Sequence, residues 1–351
     1  MTVHFYAVGQ VQGPDGDEFS IEFLRLLGAA QEGGSMVSEC FLATSRIDPN
    51  DRPNTWYREW TAIADLSNER GTAAFARGHV LTAQSNWLRA INYYLASTFA
   101  LDAVDKKRQD ALGAMRACAR RYIAHLTPAG EVVEIPWLEG HALEGYFLPA
   151  PNASGRTPVV VCMGDPGHRK EEYLFKVARY ARERGMSLLA VDLLGSGSGA
   201  EFDKVVGRPD LETSIGCVRD YLTTRDDVDE RRIAILGDGA GSSFVARGVA
   251  LDDRFAAVVC DGGIWDMHER AFLMNRLSRD GAGDREFERG WLESSMVIDL
   301  FERLKAHHPG ISLKIFESSE TAAAQGHCDN PTLANEFIFD WVADRLESVS
   351  A

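Results

Sequence analysis

The sequence has little of the chemistry that marks several large classes of protein. Its six cysteines are scattered along 351 residues and none lies in a C-x-x-C pair, so the sequence indicates neither a zinc site nor a disulfide framework. Basic residues are in deficit, because 37 Lys and Arg stand against 52 Asp and Glu and give a formal net charge of −15. This balance argues against nucleic acid or an anionic membrane as the main partner.

Long apolar runs and targeting patterns are missing as well. No apolar stretch reaches the roughly 18 residues of a membrane span. The first residues contain no basic region followed by an apolar run. We therefore expect a cytoplasmic protein that needs no cofactor or metal, does not bind membrane, and takes a small molecule as its partner. The sequence leaves open whether the chain forms a homodimer.

The residues that are present divide the chain into two parts. In the first part, residues 1–126, apolar residues recur at three- and four-residue steps, as Ala83, Trp87 and Ile91 illustrate. This spacing predicts amphipathic helices, one of which is expected to end at Gly71, a residue suited to a C-cap. Residues 1–126 are therefore predicted to form an all-helical domain.

In the second part, residues 127–351, short apolar strands alternate with helical patterns. The segment "EVVEIPWLEGHALEGYFLPAP" predicts a hairpin that turns at Glu139-Gly140. Further strands are expected at "PVVVCMG", "SLLAVDLLG", "RRIAILG", "FAAVVCDGG" and "ISLKIF". Apolar strands that alternate with helices indicate an α/β fold, with a mostly parallel sheet covered by helices on both faces.

A glycine-rich turn follows the strand "RRIAILG". It reads Gly237-Asp238-Gly239-Ala240-Gly241, where many hydrolases carry G-x-S-x-G and raise a nucleophilic serine between a strand and a helix. Here the central residue has no side chain. The unpaired N–H groups at the start of the next helix, Ala240 foremost, still favour negative charge. The turn can therefore keep an oxyanion site after losing its nucleophile.

The order of these motifs resembles that of an α/β hydrolase. A leading hairpin precedes strand–helix units, a G-x-x-x-G turn follows a strand, and "GHCDN" comes late, before the last helix. The helical part, with "W…EW" and "GH..TA…W.RA..YY", is similar to the branch of 2,6-dihydroxypseudooxynicotine hydrolase and the fungal polyketide-shortening hydrolases. The layout is also similar to that of acetate-eliminating enzymes of spirotetronate biosynthesis. The resemblance implies an α/β-hydrolase-like sheet, a helical lid domain and a pocket between them.

The resemblance places one expected catalytic side chain directly. His327 lies in the loop that overhangs the nucleophile turn in this fold, and a histidine there can serve as general base or acid near neutrality. The acid that would orient it has no single position in the sequence, because no strand is evident between Asp266 and Pro309. Asp266 and Asp261, both near the end of "FAAVVCDGG", are the two candidates.

Other residues near the expected pocket are candidates for further roles. Asp238 could replace the missing nucleophile, although it lies one residue early and is expected to point away from the pocket. The segment "MGDPGHRKEEY" follows the strand that usually supplies a second oxyanion N–H. Gly164, Asp165 and His168 are therefore expected to line the pocket, and a turn capped by Asp165 is the alternative.

The residues that remain favour elimination over hydrolysis. An acyl-enzyme needs a nucleophile, which Gly239 cannot supply, whereas a base and an oxyanion site suit proton removal beside a carbonyl. A serine at the turn would cleave an ester whose carboxylate must leave intact. We therefore expect a non-hydrolytic lyase that eliminates a carboxylate such as acetate from an acylated polyketide or tetronate-type intermediate of secondary metabolism.

Several alternatives stay open at the level of sequence. The first is an ester or carbon–carbon bond hydrolase with a rebuilt catalytic group, acting through Asp238 or through a water directed by His327. The second is a cyclase or isomerase that uses the pocket as a template, and the third is a non-catalytic binding protein. A serine hydrolase in which glycine was substituted for serine at position 239 also fits the sequence.

Overall fold

A helical N-terminal part precedes a mixed sheet that has helices on both faces, as the sequence predicts. The computed structural model describes residues 18–102, 104–138, 141–164, 169–192, 210–239, 241–262, 298–308, 310–317 and 319–349. Within these residues the helical patterns and the apolar strand patterns form the elements that their periods indicate, with the exceptions given below.

Five α-helices precede the sheet in the described part of the chain. They are α1 (Glu18–Gly28), α2 (Val37–Thr44), α3 (Arg52–Ala76), α4 (Val80–Ser97) and α5 (Lys106–Ala124). The two long helices, α3 and α4, pack against each other along their length. Local signals fix some of their ends: the Asp105 carboxylate accepts the Lys107 N–H at the start of α5, and Pro53 occupies the first turn of α3.

Gly71 lies inside α3, so its expected role as a C-cap is wrong. The helix continues for another turn to Ala76. A Cβ atom on Gly71 would lie 2.7 Å from Cδ1 of Trp87 in α4, which is far closer than van der Waals contact. Glycine is therefore required at this point because it lets two helices approach closely, and not because it ends one of them.

The sheet has six strands within the described residues. They are β1 (Glu131–Leu138), β2 (His141–Leu148), β3 (Thr157–Met163), β4 (Ser187–Val191), β5 (Val228–Asp238) and β6 (Ala257–Asp261). Their spatial order is β1-β2-β4-β3-β5-β6. The first two strands form the predicted antiparallel hairpin, β2 pairs antiparallel with β4, and the ladders from β4 through β6 are parallel.

Helices cover both faces of the sheet, which explains why its central strands are apolar on both sides. One face carries α6 (Glu172–Lys176), α7 (Ala178–Glu183) and the C-terminal α10 (Pro331–Ser348), together with the N-terminal helices. The other face carries α8 (Thr213–Thr223) and α9 (Gly241–Leu251). Along β3, Val160 and Cys162 face the first set, whereas Val159 and Val161 face the second.

The apolar core runs across the predicted domain boundary. Helix α5 ends and β1 begins on either side of residues 126 and 127. Even so, Trp60 and Ile91 of the helical part belong to the same buried cluster as Tyr146 of the sheet and Phe339 of α10. The helical part and one face of the sheet therefore bury their apolar surfaces against each other.

Two expectations about the second part are wrong in detail. The segment "ISLKIF" forms no strand: residues 311–317 pair with none of the described strands, and Leu313 and Ile315 are exposed. A segment of alternating apolar residues forms a strand only where the edge of a sheet is available to pair with it. In addition, the helical pattern that follows the strand "PVVVCMG" forms two short helices, α6 and α7, which meet at Val177.

Two further properties can be checked over the same residues. None of the helices described is both long enough and apolar enough to cross a membrane. Across those ranges, no three His, Cys, Asp or Glu side chains lie together in a way that could hold a metal ion.

Candidate active site

The glycine turn stands between β5 and α9, where the sequence places it. Gly239 has a φ of 58°, in the left-handed region that glycine adopts without strain. Its N–H donates to the carbonyl of Asp261 over 2.8 Å. The N–H of Gly239 is therefore already used, and Ala240, the expected oxyanion donor, lies outside the described residues.

Asp261 ends β6 and connects this turn to the histidine. Its backbone carbonyl accepts the Gly239 N–H, and its carboxylate Oδ1 lies 2.8 Å from Nε2 of His327. Of the two candidate acids, Asp261 is thus the one that the structure brings to His327. Asp266 lies outside the described residues.

His327 has both ring nitrogens engaged. Nδ1 lies 2.6 Å from the carbonyl oxygen of Ala322, so Nδ1 must carry a proton and donate it. Nε2 faces the Asp261 carboxylate. This differs from the usual triad, in which the acid contacts Nδ1 and leaves Nε2 for the nucleophile. The edge-on ring of Phe316, 5.3 Å away between centroids, packs against the imidazole.

The surroundings of His327 favour its protonated form. Burial by itself would lower the pKa of the imidazole, but the hydrogen bond and charge of Asp261, together with the Ala322 carbonyl, outweigh it. The pKa of His327 is therefore raised above its ordinary value, against a smaller opposing effect of the Lys176 charge. The pair holds a proton strongly and becomes a good proton acceptor once that proton has left.

The loop that carries His327 is tightly constrained. Thr321, Ala322 and His327 all have left-handed backbone conformations, with φ of 68°, 58° and 55°. The Asp329 carboxylate accepts the N–H groups of two residues on the other side of the loop, Ala323 and Ala324. Such backbone conformations cost energy in residues other than glycine and persist only where the surrounding contacts enforce them.

Asp238 lies beside Asp261 on the same face of the sheet, but it is paired differently. The two residues are opposite each other in the parallel ladder of β5 and β6. Asp238 is buried, and its carboxylate forms an ion pair with Nζ of Lys176 in α6. Burial lowers the pKa of Lys176, but Asp238 and Asp261 outweigh it and raise that pKa to about 12. The ion pair engages the Asp238 carboxylate, which disfavours the alternative in which Asp238 replaces the missing nucleophile.

Gly164 lies against the start of α9. A Cβ on Gly241, the first residue of α9, would lie 2.6 Å from the carbonyl carbon of Gly164. The end of β3 and the start of α9 therefore touch through their backbones. Asp165 and His168 lie outside the described residues, so their place in the pocket, like that of the oxyanion donors, stays a prediction.

A buried charge network near the end of β4 was missed at the level of sequence. Lys170 is fully buried, and its Nζ lies 2.8 Å from Asp192 and 2.9 Å from Glu144. Its backbone N–H also donates to Asp192, over 2.6 Å. In the sequence, Lys170 belongs to the charged run "HRKEE", which gives no sign that one of its members is buried. The ion pair of Lys176 is not indicated by the sequence either, because its partner Asp238 lies 62 residues away.

Comparison with known proteins supports the relationship that the motifs imply. The family model described as "Esterase FrsA-like" matches residues 50–275. The chain is 30% identical over 290 residues to the hydrolyase poxO of Penicillium oxalicum, which covers 80% of this chain and 67% of that protein. It is 32% identical over 296 residues to the 20-hydroxy-prefusarin hydrolase FUS2 of Gibberella moniliformis, covering 81% and 68% of the two chains.

A solved structure shows the same architecture. The crystal structure of 2,6-dihydroxy-pseudo-oxynicotine hydrolase superposes with a TM-score of 0.68 at 19% identity, over 92% of this chain and 96% of that one. This likeness concerns the fold, which is that of an α/β hydrolase with a helical N-terminal part. Together with the match over residues 50–275, it shows that the chain belongs to the esterase FrsA-like family of α/β-hydrolase-fold enzymes.

Proposed function

We propose that this chain is a lyase in which His327 and Asp261 eliminate a carboxylate, such as acetate, from an acylated small molecule of polyketide or tetronate type. One observation carries the proposal: the turn at Gly239 has no side chain that could attack an ester, yet Asp261 links that turn to an imidazole. An acyl-enzyme requires a nucleophile, whereas elimination requires a base and stabilisation of the charge that develops.

In the proposed reaction, one nitrogen of His327 takes part in the proton transfer. Nδ1 is committed to the Ala322 carbonyl and Nε2 faces the Asp261 carboxylate, so the neutral ring accepts a proton on Nε2 from a substrate that lies beside the contact between Nε2 and Oδ1. That proton comes from the carbon beside the substrate carbonyl. The electron pair left on this carbon forms the new C=C bond, and the C–O bond to the acyl group breaks with its electrons leaving on the carboxylate. Asp261 stabilises the imidazolium, which then returns its proton to solvent.

The missing nucleophile has a chemical reason in this scheme. A serine raised at position 239 would attack the acyl carbon and release an alcohol in place of the alkene. Glycine removes that competing reaction and leaves the fold of the turn intact, because glycine adopts a φ of 58° freely. The absence of a side chain therefore serves the proposed reaction.

A hydrolase that uses a water molecule is the second candidate. It is favoured by the family to which the chain belongs and by the hydrolase names of its relatives. The pair of His327 and Asp261 would then remove a proton from water in place of carbon. The two candidates differ in which bond breaks, so isotope labelling separates them.

The experiment uses a β-acyloxy ketone as substrate in water enriched in ¹⁸O. Elimination releases acetate that keeps its two original oxygens and therefore carries no label. Hydrolysis at the acyl carbon places one ¹⁸O atom in each acetate. Unlabelled acetate together with the alkene supports the lyase, and labelled acetate together with the alcohol assigns the protein to the hydrolases instead.

Two variants complete this test. We expect His327→Ala to lower turnover roughly 10²- to 10⁴-fold, the usual contribution of a general base. We expect Gly239→Ser to shift products toward the alcohol and labelled acetate, since it supplies a nucleophile at the turn that Asp261 links to the imidazole. Thr223→Val, at the exposed end of α8, is the control. Full turnover in His327→Ala would overturn the assignment of the base.

A further inference from the structure

The helical part of the chain reaches the loop that carries His327. Helix α1 ends at Gly28, and the backbone there lies directly against the residue after the histidine. A Cβ atom on Gly28 would overlap the carbonyl oxygen of Cys328 and would lie 3.2 Å from Cδ of Pro331. Position 28 therefore admits only glycine while the loop keeps its present position.

Four residues further along, Glu32 makes a second contact with the same region. Its carboxylate Oε1 accepts hydrogen bonds from Thr332 in the first turn of α10 and from Tyr180 in α7, each over 2.6 Å. Arg179 lies 3.4 Å from the other oxygen and supplies a positive charge. Glu32 is 7% exposed, so these hydrogen bonds form largely away from water, where they are strong.

The two contacts lie on the C-terminal side of His327. Gly28 touches Cys328 and Pro331, and Glu32 holds Thr332, whereas the other end of the loop is held by its own hydrogen bonds to Asp329. The left-handed backbone of His327 is costly for a residue with a side chain. Its conformation therefore depends on contacts that enforce it, and part of that enforcement comes from a segment about 300 residues earlier in the chain.

We propose that Gly28 and Glu32 are positioning residues, through which the helical part seats the histidine loop so that the imidazole meets Asp261. The proposal rests on the proposed function only for its effect on turnover. Its structural content is the contact between Nε2 and the carboxylate, which can be followed without substrate. Within the described residues, the charged groups that act on the ring are Asp261 of β6 and Lys176 of α6.

The test compares Gly28→Ala with Gly113→Ala in the full chain. Gly113 lies in α5 and has open space where a Cβ would stand, so it controls for the added methyl group. The His327 imidazole is followed by NMR titration. Its resonance is identified as the signal that is missing from the spectrum of the His327→Gln variant. We expect Gly28→Ala to lower the pKa of His327, because the ring loses Asp261 while staying buried, and to lower turnover by about 10- to 100-fold.

A milder pair of variants covers the case in which Gly28→Ala does not fold. Thr332→Val removes one hydroxyl donor from Glu32, and Thr223→Val removes a hydroxyl from the end of α8 that has no connection with the loop. We expect the first to move the His327 titration in the same direction as Gly28→Ala, by less, and the second to leave it unchanged.

The outcomes separate this proposal from the proposed function. If Gly28→Ala and Thr332→Val change only the melting temperature, and His327 titrates as in the controls, the positioning proposal is overturned even if carboxylate is released normally. If the His327 titration moves while no acyl ester yields unlabelled carboxylate, the positioning proposal holds and the lyase proposal fails.

Discussion

Among single residues, Asp261 has the greatest influence on what His327 can do. Its carboxylate raises the pKa of the imidazole against the effect of burial, so the pair is a stronger base than a free histidine. Because the proposed elimination needs the base form of His327, its rate should fall as the pH drops through this raised pKa, that is, beginning above about pH 6.5. A profile of kcat/KM against pH measures the pH at which the rate falls on the acid side, called the acid limb.

Asp261→Asn provides the direct check of that argument. Without the carboxylate, burial lowers the pKa of His327, so the acid limb should move to lower pH. The maximal rate should also fall, by about tenfold or more, because the imidazolium loses its stabilising charge. Asp226→Asn, at an exposed turn residue before β5 that lies outside the histidine loop, is the matched control. A limb that stays at the wild-type pH in Asp261→Asn would contradict the assignment.

The ion pair between Lys176 and Asp238 leads to a prediction about stability. Lys176→Met removes the ammonium from a buried carboxylate, which should lower the free energy of unfolding by about 3 kcal/mol. The double variant Lys176→Met/Asp238→Asn leaves no buried charge at this point, so most of the loss should be recovered. Urea unfolding measures both. A double variant as unstable as the single one would mean that the pair contributes little.

The sequence located His327 and the turn because each belongs to a local motif, but it could not choose between Asp261 and Asp266. That choice depends on which residue ends β6 opposite Asp238, a register that no local pattern encodes. The contacts of Lys176 and Glu32 could not be predicted from the sequence for a similar reason. Their partners, Asp238 and Thr332, lie 62 and 300 residues away along the chain.

At the scale of elements, the period of the apolar residues predicted most helices and strands correctly. The errors arose where packing against a neighbouring element determines the local structure. Gly71 is a residue type that often ends a helix, but it lies within α3. Glycine is needed there because Trp87 of α4 occupies the space that a side chain would fill. The segment "ISLKIF" has the alternation of a strand but pairs with none of the described ones. In both cases the presence or absence of a neighbouring element determines which structure the local sequence pattern forms.

Gly71→Ala tests the close approach of α3 and α4. The added methyl group would stand 2.7 Å from Trp87, and such overpacking costs about 1–3 kcal/mol, even though alanine favours helix by roughly 1 kcal/mol over glycine. Gly113→Ala in α5 meets no neighbour and should stabilise the protein by up to that 1 kcal/mol. Urea midpoints give both values. A stabilised Gly71→Ala would show that the helices can separate without cost.

At the scale of the whole molecule, the core joins the helical part to one face of the sheet. Trp60 and Trp87 belong to the same buried cluster as Leu188 of β4 and Val342 of α10. Neither part can expose its share of this surface without a large loss of apolar burial. Glu32 strengthens the connection, since it joins the helical part to α7 and α10 at once. The histidine loop is therefore in contact with the helical part as well as with β6 of the sheet.

This arrangement predicts that the helical part and the sheet unfold together. Hydrogen exchange followed by mass spectrometry should give peptides from α4 and from β3 the same opening free energy, because each needs the other to stay buried. Gly71→Ala, which acts only within the helical part, should then lower the protection of both peptides by equal amounts. If α4 lost its protection while β3 kept it, the helical part would be an independent unit. Its control of His327 through Gly28 and Glu32 would then persist only while that unit stays folded.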